Sequence, residues 1–216
     1  MEQILTIDII TLFPEMFSAL EMGITGRAID KHLLKINTHD LRSFAVNKHR
    51  RVDDRPYGGQ CGMVLQYEPL KRATESIFRA YNQKDIPVIL MCPKGKTFSQ
   101  SSVKEIIDKK HIIIVCGRYQ GIDQRYIDRY VTQAWSIGNY ILTGGELACM
   151  VMIDCASRAL PGALGNKESY SQGTHQSENE APLYTRPSMV DGMRTPSELL
   201  SGNPKQIMKW KAENRD

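Results

Sequence analysis

Three short glycine-bearing turns hold the pattern in this chain that could do chemistry. They are Pro93-Lys94-Gly95, the stretch 117–121 opening on Gly117, and the stretch 136–145. Each follows an apolar run, at 88–92, 112–116 and 130–135, that reads as a strand. In parallel α/β sheets, ligands bind beyond the carboxyl ends of the strands, where backbone groups have left the ladder. Three glycine turns at three strand ends therefore mark a candidate small-molecule site. The third turn is the most unusual. Ser136-Ile137-Gly138-Asn139-Tyr140-Ile141-Leu142-Thr143-Gly144-Gly145 mixes glycines with apolar and aromatic residues, as suits hydrogen bonding to a flat heterocycle. An ordinary strand–turn–helix connection would use the same residue types, so this segment alone leaves both readings open.

Several other chemistries lack their motifs. No G-x-G-x-x-G follows the first strand, and no phosphate-binding G-x-x-x-x-G-K-[ST] occurs. Neither a serine nucleophile elbow nor H-E-x-x-H is present. The five cysteines (Cys61, Cys92, Cys116, Cys149, Cys155) form no C-x-x-C and have no histidine at ligand spacing. Reduced core thiols, with no metal site, are the expectation. A formal charge of +4 is compatible with a nucleic-acid partner without requiring one. Basic residues do cluster at Lys48-His49-Arg50-Arg51, at Lys94 and Lys96, and at Lys205, Lys209 and Lys211.

The elements that must position these turns follow from periodicity. The first strand is expected at 3–12, stopped by Phe13-Pro14-Glu15, with Pro14 placed to open a helix. Residues 40–47 are weakly strand-like, and 52–62 can only be loop or turn. Helices are expected at 70–81 and 100–109, with a further short one after Gly121. This alternation predicts a mostly parallel sheet with helices on both faces. The helix at 145–160 is apolar enough to be buried, against a second subunit if not within the chain. Residues 165–187 read as a polar linker, and two short helices start near Thr195-Pro196-Ser197-Glu198 and Asn203-Pro204. With 216 residues, 41% of them hydrophobic, no run long enough to span a membrane and no leader pattern, a cytoplasmic globular protein is expected.

Taken in order, the motifs resemble the TrmD family of bacterial tRNA (guanine-N1) methyltransferases, of the knotted SPOUT class. The resemblance runs nearly end to end: Ile10-Thr11-Leu12-Phe13-Pro14-Glu15-Met16-Phe17, then Val52-Asp53-Asp54-Arg55-Pro56-Tyr57-Gly58-Gly59 and Gly62-Met63-Val64. It continues through Cys116-Gly117-Arg118-Tyr119, Gly121-Ile122-Asp123, Ser136-Ile137-Gly138 and Tyr140 to Leu147. Leu160-Pro161-Gly162, Leu164-Gly165-Asn166, Tyr184-Thr185-Arg186-Pro187 and Leu200-Ser201-Gly202-Asn203 complete it.

The resemblance implies an α/β fold of the SPOUT type, closed by a C-terminal trefoil knot, which periodicity cannot reveal. It implies a knotted S-adenosylmethionine (AdoMet) domain at 1–163, a linker at 164–187 and a short helical tRNA-binding segment at 188–216. With six residues following Trp210, that last segment is expected to be trimmed or short beside the family's. A homodimer with shared active sites is implied too. AdoMet would be held by backbone groups of Pro93, Gly95, Gly117, Ile137, Gly138, Asn139, Tyr140, Ile141 and Leu142, with Gly144 and Gly145 closing the turn. The implied substrate is guanosine-37 of tRNA, next to the anticodon in the anticodon stem-loop. A Mg2+ ion is compatible but cannot be inferred from sequence.

Guanine N1 carries a proton at neutral pH, so methylation needs an acceptor for that proton and a donor for the charge gathering on O6. Arg158 matches the family's catalytic arginine. The family's linker carboxylate lies in a D-S-F-x-x-G pattern, and Glu168-Ser169-Tyr170-Ser171-Gln172-Gly173 is the local match. Glu168 is thus the candidate base, with Glu178 and Glu180 as alternatives. Gln120 stands where the family pattern has Glu, and Gln60 and Cys61 replace small residues. These departures leave a second reading, a tRNA-binding protein of the same fold with lost or reduced catalysis, and a third, a knotted methyltransferase acting at another atom.

Overall fold

The computed structural model describes residues 4–164 and 181–215. Contacts divide the chain into two units, Met1–Tyr170 and Ser171–Asp216.

The first unit is built on a five-stranded parallel sheet in the order β2-β1-β6-β5-β7. Its strands are β1 (Leu5–Thr11), β2 (Leu34–Asp40), β5 (Val88–Thr97), β6 (His111–Cys116) and β7 (Gln133–Ser136). A two-stranded antiparallel ribbon, β3 (Asp53–Asp54) with β4 (Val64–Leu65), forms a second small sheet. Every residue of the central strand β6 is buried, as a strand covered on both faces requires. One face of the sheet sets Ile7, Ile9, Ile89, Ile112, Ile114 and Trp135 against helices α1 (Gly23–Asp30), α3 (Val103–Ile107) and α5 (Glu146–Ala159). The other sets Ile10, Val88, Leu90, Ile113 and Val115 against α2 (Tyr67–Ala80) and α4 (Gln124–Tyr130). Alternate residues of one strand thus feed two separate cores, which is the period of two made structural.

Several expected boundaries move, each for a local reason. The strand expected at 40–47 ends at Asp40, whose carboxylate accepts from Arg42 N at 2.9 Å and starts a 3-10 turn, Leu41–Phe44. The turn expected at 93–96 is a bulge inside β5: pairing with β7 breaks between Met91 and Lys96 and then resumes. A Cβ at Gly95 would lie 2.5 Å from the carbonyl carbon of Ala134, so only glycine lets this bulge pass flush against β7. The strand expected from residue 130 begins instead at Gln133, because Tyr130 closes α4, stacks on Tyr126 and donates to Glu75 at 2.8 Å. The helix expected at 100–109 is a 3-10 turn, Gln100–Ser102, followed by the short α3. Within the stretch expected to be all loop, Asp53 and Asp54 pair with Leu65 and Val64.

In the second unit both expected helices form, at Ser197–Leu200 and Pro204–Glu213, the latter capped by the Asn203 side chain. An unexpected hairpin precedes them, β8 (Met189–Val190) with β9 (Met193–Arg194). Its turn, Asp191-Gly192, has positive φ at both positions, which is the Asp-Gly hairpin signal. Among the described residues, no helix is long and apolar enough to cross a membrane.

Candidate functional site

The connections leaving β5, β6 and β7 create a crevice at the carboxyl edge of the sheet. β5 runs on to α3 on one face, its neighbour β6 runs to α4 on the other, and β7 returns to α5 on the first. Adjacent strands whose connections part to opposite faces form the switch point at which open α/β sheets bind ligands.

The three glycine turns meet there. Gly145 N donates to Gly117 O at 2.8 Å. A Cβ on Gly145 would lie 2.9 Å from Met91 Cβ and 3.0 Å from Cys116 Cα, so α5 can begin this close to β5 and β6 only from glycine. The bulge carrying Pro93 and Gly95 touches β7 just before the 136–145 turn. Pro93, Gly95, Gly117, Gly144 and Gly145 are therefore brought together, with the segment from Ile137 to Leu142 beside them.

That segment is rich in free donors. The Ser136 hydroxyl bonds Gly138 O at 2.9 Å and Gly138 N at 3.3 Å, which folds the turn back on itself. Beyond it, among the described residues, the N–H groups of Asn139, Tyr140, Ile141 and Leu142 donate to no acceptor. Ile137 and Leu142 pack their side chains on the core, whereas Tyr140 and Ile141 are exposed. Apolar flanks beside a row of unpaired amides are the donor set that a purine ring accepts.

A buried ion pair fixes the far end of the turn. Glu146, fully buried at the start of α5, accepts from Thr11 Oγ1 at 3.0 Å and from Arg118 Nε at 2.9 Å. Arg118 also donates to Thr143 O at 3.3 Å and lies 4.5 Å over the Phe13 ring. Its guanidinium fills the space that a Cβ on Gly144 would need. Sequence alone assigns no role to Thr11 or Glu146. The available signal is a lone acid in the first turn of an otherwise apolar helix.

Of the predicted catalytic residues, Arg158 does not lie at this edge. Arg158 is exposed in the last turn of α5 and, among the described residues, has no hydrogen-bond or ionic partner. It lies twelve residues along the helix from Glu146, about 18 Å along the axis. Glu168, Glu178 and Glu180 lie outside the described residues. Gln120 donates its backbone N–H to Met63 O at 3.0 Å, and its side chain lies against Gly62, so the two motif loops are stitched together. No cluster of potential metal ligands occurs among the described residues. Burial, then the contact with Cys149, pushes the Cys116 thiol well above its usual range, consistent with an inert core cysteine. Two clefts, of about 450 and 610 Å3, run along α2 rather than at the strand ends.

A parallel sheet with a ligand crevice at its switch point, closed by glycine turns with unpaired amides, defines a nucleotide-type cofactor-binding α/β protein. Comparison with known proteins narrows this class. Residues 5–216 match the family described as tRNA (Guanine-1)-methyltransferase TrmD. The chain is 46% identical to a tRNA (guanine-N(1)-)-methyltransferase of Buchnera aphidicola, over 97% of this chain and 89% of that protein. It is 45% identical to the one from Actinobacillus succinogenes, over 95% of this chain and 84% of that one. The crystal structure of tRNA (m1G37) methyltransferase from Aquifex aeolicus superposes with a TM-score of 0.82 at 38% identity, covering 96% of this chain and 88% of that chain. The chain belongs to the TrmD family.

Proposed function

We propose that the protein transfers a methyl group from AdoMet to N1 of guanosine-37 in tRNA, bound through the anticodon stem-loop. The observation that carries this reading is the row of unpaired amides from Asn139 to Leu142 at the switch point. These amides and the apolar flanks of Ile137 and Leu142 would hold the adenine, and Gly117, Gly144 and Gly145 give the close backbone approach. When bound, AdoMet supplies a methyl group on a cationic sulfur, open to in-line attack. The chain's own task is to hold the guanine in that line and to manage its N1 proton. Arg158 is assigned to donate to O6 as negative charge gathers there. Glu168 is assigned to accept the N1 proton, with Glu178 and Glu180 as the alternatives.

The same proposal includes a homodimer. An arginine about 18 Å along a straight helix from the cofactor turn cannot serve a ligand in that turn of its own chain. The exposed stripe of α5, Leu147, Val151, Asp154 and Arg158, recurs at helical spacing and starts apolar. Two copies of α5 packed antiparallel would cover Leu147 and Val151 and bring each Arg158 to the partner's cofactor turn. The trefoil knot, the domain limits 1–163, 164–187 and 188–216, and a cytoplasmic location belong to the same reading.

Single-turnover transfer from labelled AdoMet, to tRNA carrying G or A beside the anticodon, tests the reaction. Transfer to G alone is the expected result. Cofactor binding without transfer would favour the non-catalytic tRNA-binding reading, for which Gln120 in place of Glu is the motivating residue.

A further inference from the structure

One strongly charged surface has no part in the cofactor site. Lys48, His49, Arg50 and Arg51 are consecutive and exposed, and none of them forms an ion pair among the described residues.

The turn that carries them is built rather than loose. Asn47 Oδ1 accepts from His49 N at 3.1 Å and from Arg51 N at 2.9 Å, while its Nδ2 donates to Arg51 O at 2.7 Å. Arg50 N closes the turn on Asn47 O at 3.1 Å, with Arg50 at a φ of 51°. One asparagine therefore satisfies the backbone of the turn and leaves four basic side chains projecting from a fixed base.

Its place in the fold is also fixed. The turn follows the carboxyl end of β2, and the next residue, Val52, is fully buried with its carbonyl bonded to Gln66 N at 2.8 Å. The ribbon that begins there is sewn to the turn after β6: Leu65 N donates to Gly121 O, and Gln120 N to Met63 O, each at 3.0 Å. The basic turn thus stands on the same carboxyl edge of the sheet as the cofactor turns.

We infer that the 47–51 turn is a preformed clamp for the phosphate backbone of the RNA substrate, seating it on the rim of the cofactor crevice. This rests on the tRNA methyltransferase reading above. Cations held on a pre-ordered turn bind phosphate without first losing the freedom of the loop. Each phosphate that is engaged releases counterions, so the signature of the clamp is the dependence of affinity on salt.

The test is equilibrium binding of a tRNA transcript to the full chain across a KCl series. Combined Lys48→Gln, Arg50→Gln and Arg51→Gln should lower the log–log salt slope by about 2–3, one for each phosphate no longer engaged. Affinity for tRNA should fall about tenfold or more at moderate salt while AdoMet binding stays unchanged. Asn47→Ala keeps every charge and should weaken tRNA binding only by freeing the turn. Unchanged affinity and slope in the triple variant overturn the clamp, and unchanged affinity in Asn47→Ala overturns its preformed character. The assay needs no methyl transfer, so a failure of the functional reading shows separately, as an unsubstituted protein that binds tRNA but transfers nothing.

Discussion

Arg118 Nε lies 2.9 Å from Glu146 Oε2, and this contact joins the end of β6 to the start of α5 across the 136–145 turn. The two partners are unequal. Glu146 is fully buried, while the Arg118 side chain keeps 18% of its surface in solvent. Removing the arginine therefore leaves a buried carboxylate whose other partner is the Thr11 hydroxyl. Arg118→Ala should cost about 3–5 kcal/mol, the range for orphaning a buried charge. Glu146→Gln leaves a cation that can still reach water and should cost less. Urea unfolding of the two variants checks the order; equal losses would contradict this account of the pair.

The second prediction concerns α5 and its two ends. Arg158→Ala should leave AdoMet binding intact and reduce transfer by about 10²–10³, the usual loss for one donor to a developing oxyanion. Ile141→Pro removes one amide of the proposed cofactor turn at a side chain 87% exposed, so it should weaken AdoMet binding without unfolding the sheet. If sites are shared between subunits, mixing the two variants restores activity in hybrid dimers. About a quarter of all sites should then be competent, since half the dimers are hybrid and each has one intact site. No gain on mixing, under conditions where subunits exchange, would refute the shared site.

Much of the sheet and most of the glycine turns at its carboxyl edge were legible because periodicity and glycine are strong local signals. The strands from β5 to β7 are apolar and buried, so they announce themselves, although tertiary packing moved the start of β7. β2 was not legible: LKINTHD is an edge strand with only Leu34 buried, and its polar residues hide the alternation. Nor was α1, where Gly23 and Gly26 break the helical pattern; a Cβ on Gly26 would meet the Glu21 carbonyl. The clamp of Thr11, Arg118 and Glu146 joins residues 135 positions apart, and no local signal reports such a partner. Arg158 and the linker glutamates came only from the resemblance. The distance of Arg158 from the 136–145 turn is a property of helix length that the residue types themselves do not express.

Thiol reactivity gives a third check, on the core. Cys116 and Cys149 are buried beside each other, and burial pushes the Cys116 thiol up. Cys155 is raised as well, by burial first and then by the charge of Asp154. Cys61 alone is exposed. A thiol reagent at neutral pH should therefore label Cys61 first in the native protein, with Cys116 and Cys149 reacting only on unfolding. Rapid native labelling of Cys116 would mean that the seam between β6 and α5 is open.

The last prediction concerns a buried cluster shared by β1, β2 and β6. Asp8 on β1 is 1% exposed and accepts from His39 Nε2 on β2 and from His111 Nε2 on β6, each at 2.6 Å. Asn37 adds a third bond at 3.2 Å, so one carboxylate ties three neighbouring parallel strands. Burial by itself would raise the Asp8 pKa, but the hydrogen bonds from His39 and His111, aided by their charge, outweigh it and hold the carboxyl below its usual range. The unfolded chain then takes up a proton at higher pH than the folded one does. The resulting stability is fully present above the unfolded value, about 3.9, and is lost as pH falls through the lower folded value. Asp8→Asn cannot ionise, so this acid-side slope should flatten. The same variant should lose about 1–3 kcal/mol at neutral pH, because an amide replaces a charged acceptor between two imidazoles. Urea unfolding from pH 7 down to about pH 3 measures both effects against the unfolded Asp reference. An Asp8→Asn protein whose stability falls with acid as steeply as its parent's would show that the acid sensitivity of the fold arises elsewhere.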